Sequence, residues 1–286
     1  MESQPMVQKT CIVTGASSGI GKETSKKLAE LGATVVMVCR DQKRGERAMS
    51  EIKAAHNNAR VDLLIADFAS LDSVRALAKD FLTKYDTLQV LVNNAGRVNV
   101  MRSVTVDGFE ATFQVDYLSH FLLTNLLLEV LKKSAPSRIV NVSSASHYGG
   151  HLAFEDLQMV RGYGVMKAYS QAKLAQVLFT YELSRRLEGT GVTVNSLHPG
   201  AVATNIWKSS MGPLSPLGNI TRLFLISPEK GAETPVYLAS SPEVEGVTGK
   251  YYDHKLVKQS SAESYDQATA KKLWDESERM AGLSPS

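Results

Sequence analysis

A chain of 286 residues, 43% hydrophobic and 21% charged, has the composition of an ordinary globular protein and is long enough to bury a sizeable core. One domain spanning 1–286 is the simplest division. Its net charge of +3 and pI near 8.7 are too mild to argue for nucleic acid, and no Lys/Arg block with interleaved aromatics appears. The two cysteines, Cys11 and Cys39, sit in apolar runs where a cysteine behaves as a small hydrophobe, so neither a disulfide nor a metal site is expected.

Met1 to Gln8 is polar and lacks a charged n-region followed by an apolar core, so no secretory signal is expected. The longest apolar stretch, Phe121 to Leu131, is interrupted by Thr124, Asn125 and Glu129, which makes it too short and too polar to span a bilayer. The expectation is a soluble cytoplasmic protein.

The β-branched run Thr10 to Thr14 predicts a strand. It leads at once into Gly15, Ala16, Ser17, Ser18, Gly19, Ile20 and Gly21, then a helical pattern from Lys22 to Leu31. A strand, glycine turn and helix in this order let the backbone approach a pyrophosphate, while the amides at the helix start offer an anion site. Gly32 ends the helix, and a second strand, Ala33 to Cys39, follows directly, so dinucleotide binding is the reading rather than a plain turn. The residue after that strand faces the adenosine ribose. Here it is Arg40, a cationic fork suited to phosphate, which favours NADP(H), with NAD(H) as the alternative. Asp41 would serve a ribose if turned inward, but is read as opening the helix around Arg44 to His56.

A third strand, Val61 to Ile65, ends in Asp67 and Phe68. Asp67 either accepts from the adenine amino group or caps the helix beginning near Leu71, and the sequence does not decide between the two. After the helix Asp72 to Tyr85 and a fourth strand, Leu88 to Val92, comes Asn93, Asn94, Ala95 and Gly96. These are small and amide residues suited to close approach to a cofactor ribose, or simply to a turn. Val106 to Lys132 predicts the longest helix. Its second half is apolar almost all round, which suggests the sheet on one side and a partner subunit on the other, hence a homodimer.

A fifth strand, Arg138 to Val142, delivers Ser143 and Ser144. Alternating strands and helices predict an α/β doubly wound parallel sheet of Rossmann type, about seven strands with helices on both faces, in a single domain. Such sheets bind ligands outside the carboxyl ends of their strands, so Ser144 is aimed at the ligand crevice. The loop Ala145 to Met166 carries three candidate substrate-facing groups, His147, Tyr148 and His151. Tyr169 and Lys173 stand four apart, on one face of the next helix, where the ammonium favours the phenolate and brings proton exchange nearer neutral pH. A sixth strand, Val192 to Leu197, ends in His198, Pro199, Gly200, Ala201, Val202, Ala203 and Thr204. The Pro-Gly exit suits a flat amide ring such as nicotinamide, with Thr204 placed to hold its carboxamide.

With Thr14-Gly15-xxx-Gly19-Ile20-Gly21, Asn93-Asn94-Ala95-Gly96, Ser144, Tyr169-xxx-Lys173 and Pro199-Gly200 in this order, the sequence resembles the short-chain dehydrogenase/reductase family over nearly its whole length. The runs beginning at Phe113 and Arg138 and the segment Leu197 to Gly200 look like its retinol dehydrogenase-like branch, whose members mostly use NADP(H) on apolar alcohols and aldehydes. The resemblance implies Tyr169 as proton donor and acceptor, Lys173 as the group that lowers its pKa and binds the ribose hydroxyls, and Ser144 as the group orienting the carbonyl. It implies cofactor contacts from Gly15, Ser17, Ser18, Gly19, Ile20, Gly21, Arg40, Asp67, Phe68, Asn94, Ala95, Gly96, Tyr169, Lys173, Pro199, Gly200, Val202 and Thr204. One position departs from the pattern. The family usually has an asparagine where this chain has Asp116, a residue that anchors a water linking the lysine to solvent. An ionised carboxylate cannot donate as an amide does, so a weakened proton relay, or a dinucleotide-binding sensor or scaffold with little turnover, is the alternative to an enzyme.

The segment 205–230 is expected to cover the substrate. Ile206, Trp207, Met211, Leu214, Leu217, Ile220, Leu223, Phe224 and Leu225 would otherwise face water, which points to a lipophilic carbonyl or alcohol and leaves peripheral membrane contact open. Ile206 and Trp207 are the substrate contacts named from it. A seventh strand near Lys250 to Tyr252 and an amphipathic helix, Ala262 to Ala281, complete the chain.

Overall fold

Thr10–Thr14 (β1), Thr34–Cys39 (β2) and Arg60–Ile65 (β3) are short runs rich in β-branched and apolar residues, and in the computed structural model they pair in parallel at one end of a sheet. The structure describes residues 6–56, 58–201 and 226–284. Val90–Asn93 (β4), Ser137–Val142 (β5), Val192–His198 (β6), Lys250–Asp253 (β7) and Leu256–Lys258 (β8) extend the sheet. The strand order is β3-β2-β1-β4-β5-β6-β7-β8, and its reversal between β1 and β4 opens a crevice at the carboxyl ends.

Alternation along each strand divides the core in two. Ile12, Val36, Leu91, Ile139 and Val194 face the layer built from Leu71–Lys84 (α3), Ser119–Leu126 (α5), Val165–Arg186 (α7) and Gln267–Ala281 (α9). Cys11, Val13, Val35, Met37, Val92 and Val140 face the other layer, from Gly19–Glu30 (α1), Gln42–Ala55 (α2) and Pro228–Ser240 (α8). Both cysteines are buried and free, and burial pushes their thiols up, Cys11 to about 12 and Cys39 to about 11. They are packing residues, as their apolar surroundings predict. Among the described residues no helix is long and apolar enough to cross a membrane.

Two expectations are corrected, and a third loses the burial argument behind it. The sheet has eight strands rather than about seven. His254 and Lys255 both adopt positive φ, 50° and 64°, a two-residue turn that folds β8 back antiparallel on β7. The long helix placed over Val106 to Lys132 is broken. Gly108 takes φ 86° in a turn closed by a Val104–Glu110 bridge, and helix starts only at Ala111–Phe113 (α4), where the Glu110 carboxylate accepts from the amides of Thr112 and Phe113. A π-helical turn, Gln114–Leu118, follows, and a break at Leu127 separates α5 from Leu128–Lys133 (α6). Finally, the apolar flanks of α5 are covered by the chain itself. Phe121 packs against Phe179 of α7 and Trp274 of α9, with ring centroids 5.4 and 5.0 Å apart, and the ground for a partner subunit on that face is gone.

Candidate active site

The carboxyl ends of six strands line a crevice of about 940 Å³. Its first half is made by the glycine turn. Gly15 and Gly19 have φ of 67° and 59°, and a Cβ on Gly15 would lie 2.8 Å from the Ala95 Cα, so only glycine lets the β1 and β4 exits approach one another. Thr14 ties the two exits together. Its hydroxyl accepts from the amides of Asn94 (2.8 Å) and Ala95 (2.9 Å), while the Asn94 amide donates to the Thr14 carbonyl at 2.7 Å. The N-terminus of α1 has no side-chain cap, whereas α2, α3, α8 and α9 are each capped by Asp or Ser. Its first-turn amides therefore face the crevice available to an anion. That is the fit expected of a dinucleotide pyrophosphate.

At the same end, Arg40 lies exposed beside Ser17, Ser18 and Arg44, with the Arg44 guanidinium donating to Ser18 Oγ at 3.4 Å. Asp41 is spent on the helix, accepting from the Arg44 amide at 2.8 Å. Asp67 does not cap α3, since Ser70 does so. Asp67 instead accepts from the Ala69 amide at 3.0 Å within its own turn and lines the crevice with Phe68.

The second half contains Asn94 to Arg97, Ser143 to Ser146, Tyr169, Lys173 and His198 to Ala201. Asn94 and Asn93 are anchored in the sheet, the Asn93 amide donating to Thr124 Oγ1 (3.0 Å) and Asn141 Oδ1 (2.9 Å). Ser144 accepts from the Ser146 amide at 3.2 Å, so it caps a short turn and faces the crevice at once. Tyr169 is buried on α7 with the Ser144 hydroxyl bonded to it, and the Lys173 ammonium sits 5.4 Å from its ring centre.

Lys173 is wholly engaged. Its three N–H groups face Val142 O at 3.2 Å, Gln176 Oε1 at 3.1 Å and Asp116 Oδ2 at 3.2 Å. Asp116 is fully buried in the π-helical turn, and its other oxygen accepts from the Arg97 amide at 2.7 Å. Burial pushes the Asp116 carboxyl above its usual range, against the pull of Lys173 and of the Arg97 amide. Tyr169 is also pushed up, chiefly by burial and further by Asp116, and Lys173 and Ser144 only partly oppose this. The expected lowering of the tyrosine is thereby corrected. Lys173 acts in the direction foreseen, but burial outweighs it and Asp116 partly offsets its charge.

Behind this pair stands a residue that motif reading missed. His120 Nδ1 lies 3.1 Å from the Asp116 carbonyl and Nε2 lies 3.2 Å from Thr14 Oγ1. A carbonyl only accepts, so Nδ1 carries the proton and Nε2 accepts from the threonine. Burial holds the imidazole neutral by lowering its pKa to about 3. Thr14, His120, Asp116, Lys173 and Tyr169 thus form one connected chain from the glycine turn to the reactive hydroxyl.

The three loop residues proposed as substrate contacts do not line this crevice. His147 is fully buried, donating to Ser144 O at 2.7 Å and accepting from the Ser261 amide at 3.1 Å. Tyr148 donates to Gln259 O at 2.5 Å, and His151 pairs with Glu263 at 3.0 Å. All three fasten the loop to the C-terminal segment, because the turn after Ser144 swings away from the strand ends. Val202, Thr204, Ile206 and Trp207 lie outside the described residues, as does 205–225 of the proposed covering segment.

Comparison with known proteins agrees with this geometry. A model of the short chain dehydrogenase family matches residues 9–212. Retinol dehydrogenase 13 of Homo sapiens is 45% identical, covering 96% of this chain and 85% of that protein. Retinol dehydrogenase 14 of Homo sapiens is 46% identical, covering 96% and 86%. A crystal structure of an uncharacterized protein from Mycobacterium paratuberculosis superposes with a TM-score of 0.80 at 33% identity, covering 99% of this chain and 97% of that one.

Proposed function

The chain belongs to the short-chain dehydrogenase family, in its retinol dehydrogenase-like branch, and from that premise we propose that it is an NADP(H)-dependent oxidoreductase that reduces an apolar aldehyde or ketone to the alcohol. The observation that carries the reading is the buried phenol of Tyr169, bonded to Ser144 in the crevice that begins at the uncapped α1 turn. Ser144 and Tyr169 converge on one point, where a carbonyl oxygen would accept from both hydroxyls. A bound reduced nicotinamide supplies the hydride for the carbonyl carbon. Tyr169 gives its proton to the oxygen, which completes the alcohol, and Lys173 stabilises the phenolate left behind until solvent restores the proton. Reduction starts from the phenol of Tyr169 and oxidation of the alcohol from its phenolate.

Preference for the phosphorylated dinucleotide rests on Arg40 and Arg44 flanking Ser18, with Asp41 committed to capping α2. Two guanidinium groups there favour a 2′-phosphate. The apolar substrate class is carried over from relatives named retinol dehydrogenases.

The test is a panel assay of the purified protein with NADPH and NADH against retinal, medium-chain aldehydes and steroid ketones. NADPH consumption with at least one carbonyl, and lower turnover with NADH, are expected. A second reading is favoured by the Asp116–Lys173 ion pair, which occupies the ammonium and would leave a dinucleotide-binding sensor. Tight NADPH binding with no consumption on any substrate, and turnover restored by Asp116→Asn, would establish that reading instead.

A further inference from the structure

The catalytic half of the crevice holds a cation that the proposed reaction does not use. Arg97 follows the Asn93 to Gly96 turn at the exit of β4, one strand from Ser144, and lines the same crevice as Tyr169. Its position is fixed at both ends. The backbone amide donates to the buried Asp116 at 2.7 Å. The guanidinium donates through Nε and Nη2 to a single acceptor, Asn99 Oδ1, at 3.0 and 2.7 Å. Asn99 is itself braced, its amide donating to Ser103 Oγ at 2.7 Å and its carbonyl accepting from Tyr163 at 2.7 Å.

Two of the five guanidinium N–H groups are thus committed to a neutral amide. Among the described residues no carboxylate lies within ion-pair distance of Arg97. The acids that line the crevice, Asp41 and Asp67, stand at the opposite end and are engaged in their own turns. Near the reactive hydroxyl the charged lining side chains are Arg97 and Lys173, and Lys173 is neutralised by Asp116. A half-buried guanidinium held in place by a neutral amide, with three N–H groups that no described residue takes up and no ion pair among the described residues, is suited to receive an anion.

Resting on the oxidoreductase reading, we propose that Arg97 selects carbonyl substrates that carry a carboxylate, so that the preferred substrates are oxo acids with an apolar body rather than neutral aldehydes. The carboxylate pairs with Arg97 while the carbonyl oxygen reaches Ser144 and Tyr169. The reaction itself is unchanged, with hydride to the carbonyl carbon and the Tyr169 proton to its oxygen.

The experiment compares ω-oxo carboxylic acids of graded chain length with their methyl esters, each with NADPH. For the best-fitting length, kcat/KM for the acid should exceed that for the ester roughly ten- to hundredfold, the range of a charge-assisted hydrogen bond converted at tenfold per 1.4 kcal/mol. The advantage should lie in KM and shrink as salt is raised. Arg97→Met should collapse the acid-to-ester ratio toward one, and Arg97→Lys should restore part of it. A protein that turns over esters and acids equally at every length overturns the inference and leaves the oxidoreductase reading standing. So does Arg97→Met lowering both alike, or raising KM for NADPH instead, which would assign the guanidinium to the cofactor. If Arg97→Met fails to fold, the wild-type acid-to-ester ratio and its salt dependence decide. Absence of turnover with every acid and ester, while a carbonyl of the earlier panel is reduced, overturns this inference alone; absence of turnover with that panel as well defeats the oxidoreductase reading and this inference with it.

Discussion

Replacing Asp116 by asparagine removes one buried charge and preserves the shape of the side chain. Asp116 Oδ2 lies 3.2 Å from Lys173 Nζ, which lies 5.4 Å from the centre of the Tyr169 ring, so the carboxylate is within about 9 Å of the ring. At an effective dielectric constant near 20, a unit charge over that distance acts with about 2 kcal/mol. The carboxylate raises the tyrosine and the lysine lowers it, so Asp116→Asn leaves the ammonium uncompensated and lowers the Tyr169 pKa. The assay is the pH dependence of kcat/KM in both directions at constant ionic strength. In the variant, the alkaline limb for reduction, where the phenol is lost, moves to lower pH. The acid limb for alcohol oxidation, where the phenolate is lost, moves the same way. An asparagine also turns its amide N–H toward either Lys173 or the Arg97 amide, so the fold loses about 1–3 kcal/mol. Limbs that stay in place, or move to higher pH, would refute the electrostatic account of the Asp116–Lys173–Tyr169 chain.

His120 yields a prediction about acid stability. Its folded pKa is about 3 against an ordinary 6.5, so its contribution is complete above pH 6.5 and is lost as pH falls toward 3. The slope is about 1.4 kcal/mol per pH unit. Urea titrations at stepped pH should find that slope in the native protein and a flatter one in His120→Gln. Gly21→Ala would set a Cβ 2.5 Å from the Gly15 carbonyl oxygen, forcing the turn to shift; a lower melting temperature and weaker NADPH binding by fluorescence titration are expected. Arg40→Asp should weaken NADPH much more than NADH in the same titration, and equal weakening would count against the 2′-phosphate assignment.

The chemistry-bearing residues were legible because their positions follow from strand ends. Gly15 to Gly21, Asn94, Ser144, Tyr169 and Pro199 each sit at or just beyond a predicted strand or on the helix beside one, and a doubly wound sheet gathers those ends into one crevice. His147, Tyr148 and His151 were misplaced because a loop's direction depends on what it docks against. The docking groups, Ser261, Gln259 and Glu263, are more than a hundred positions away along the chain. The π-helical turn at Gln114–Leu118 was invisible to a periodicity of 3.6, since one extra residue per turn leaves the apolar pattern intact. The net direction of the Tyr169 shift was misjudged for a related reason. Spacing revealed the lysine four residues on, whereas burial and the carboxylate at Asp116 act through tertiary structure.

The central claim is that Tyr169 delivers the proton to a substrate carbonyl, while the dinucleotide is anchored chiefly at the glycine turn of the same crevice. The most direct measurement is a paired one on Tyr169→Phe, NADPH affinity by fluorescence titration and kcat with the best carbonyl found in the panel. The account predicts affinity within a few-fold of the native protein and kcat lower by roughly a hundred- to ten-thousandfold. A variant that binds NADPH normally and reduces the carbonyl at the native rate would contradict it.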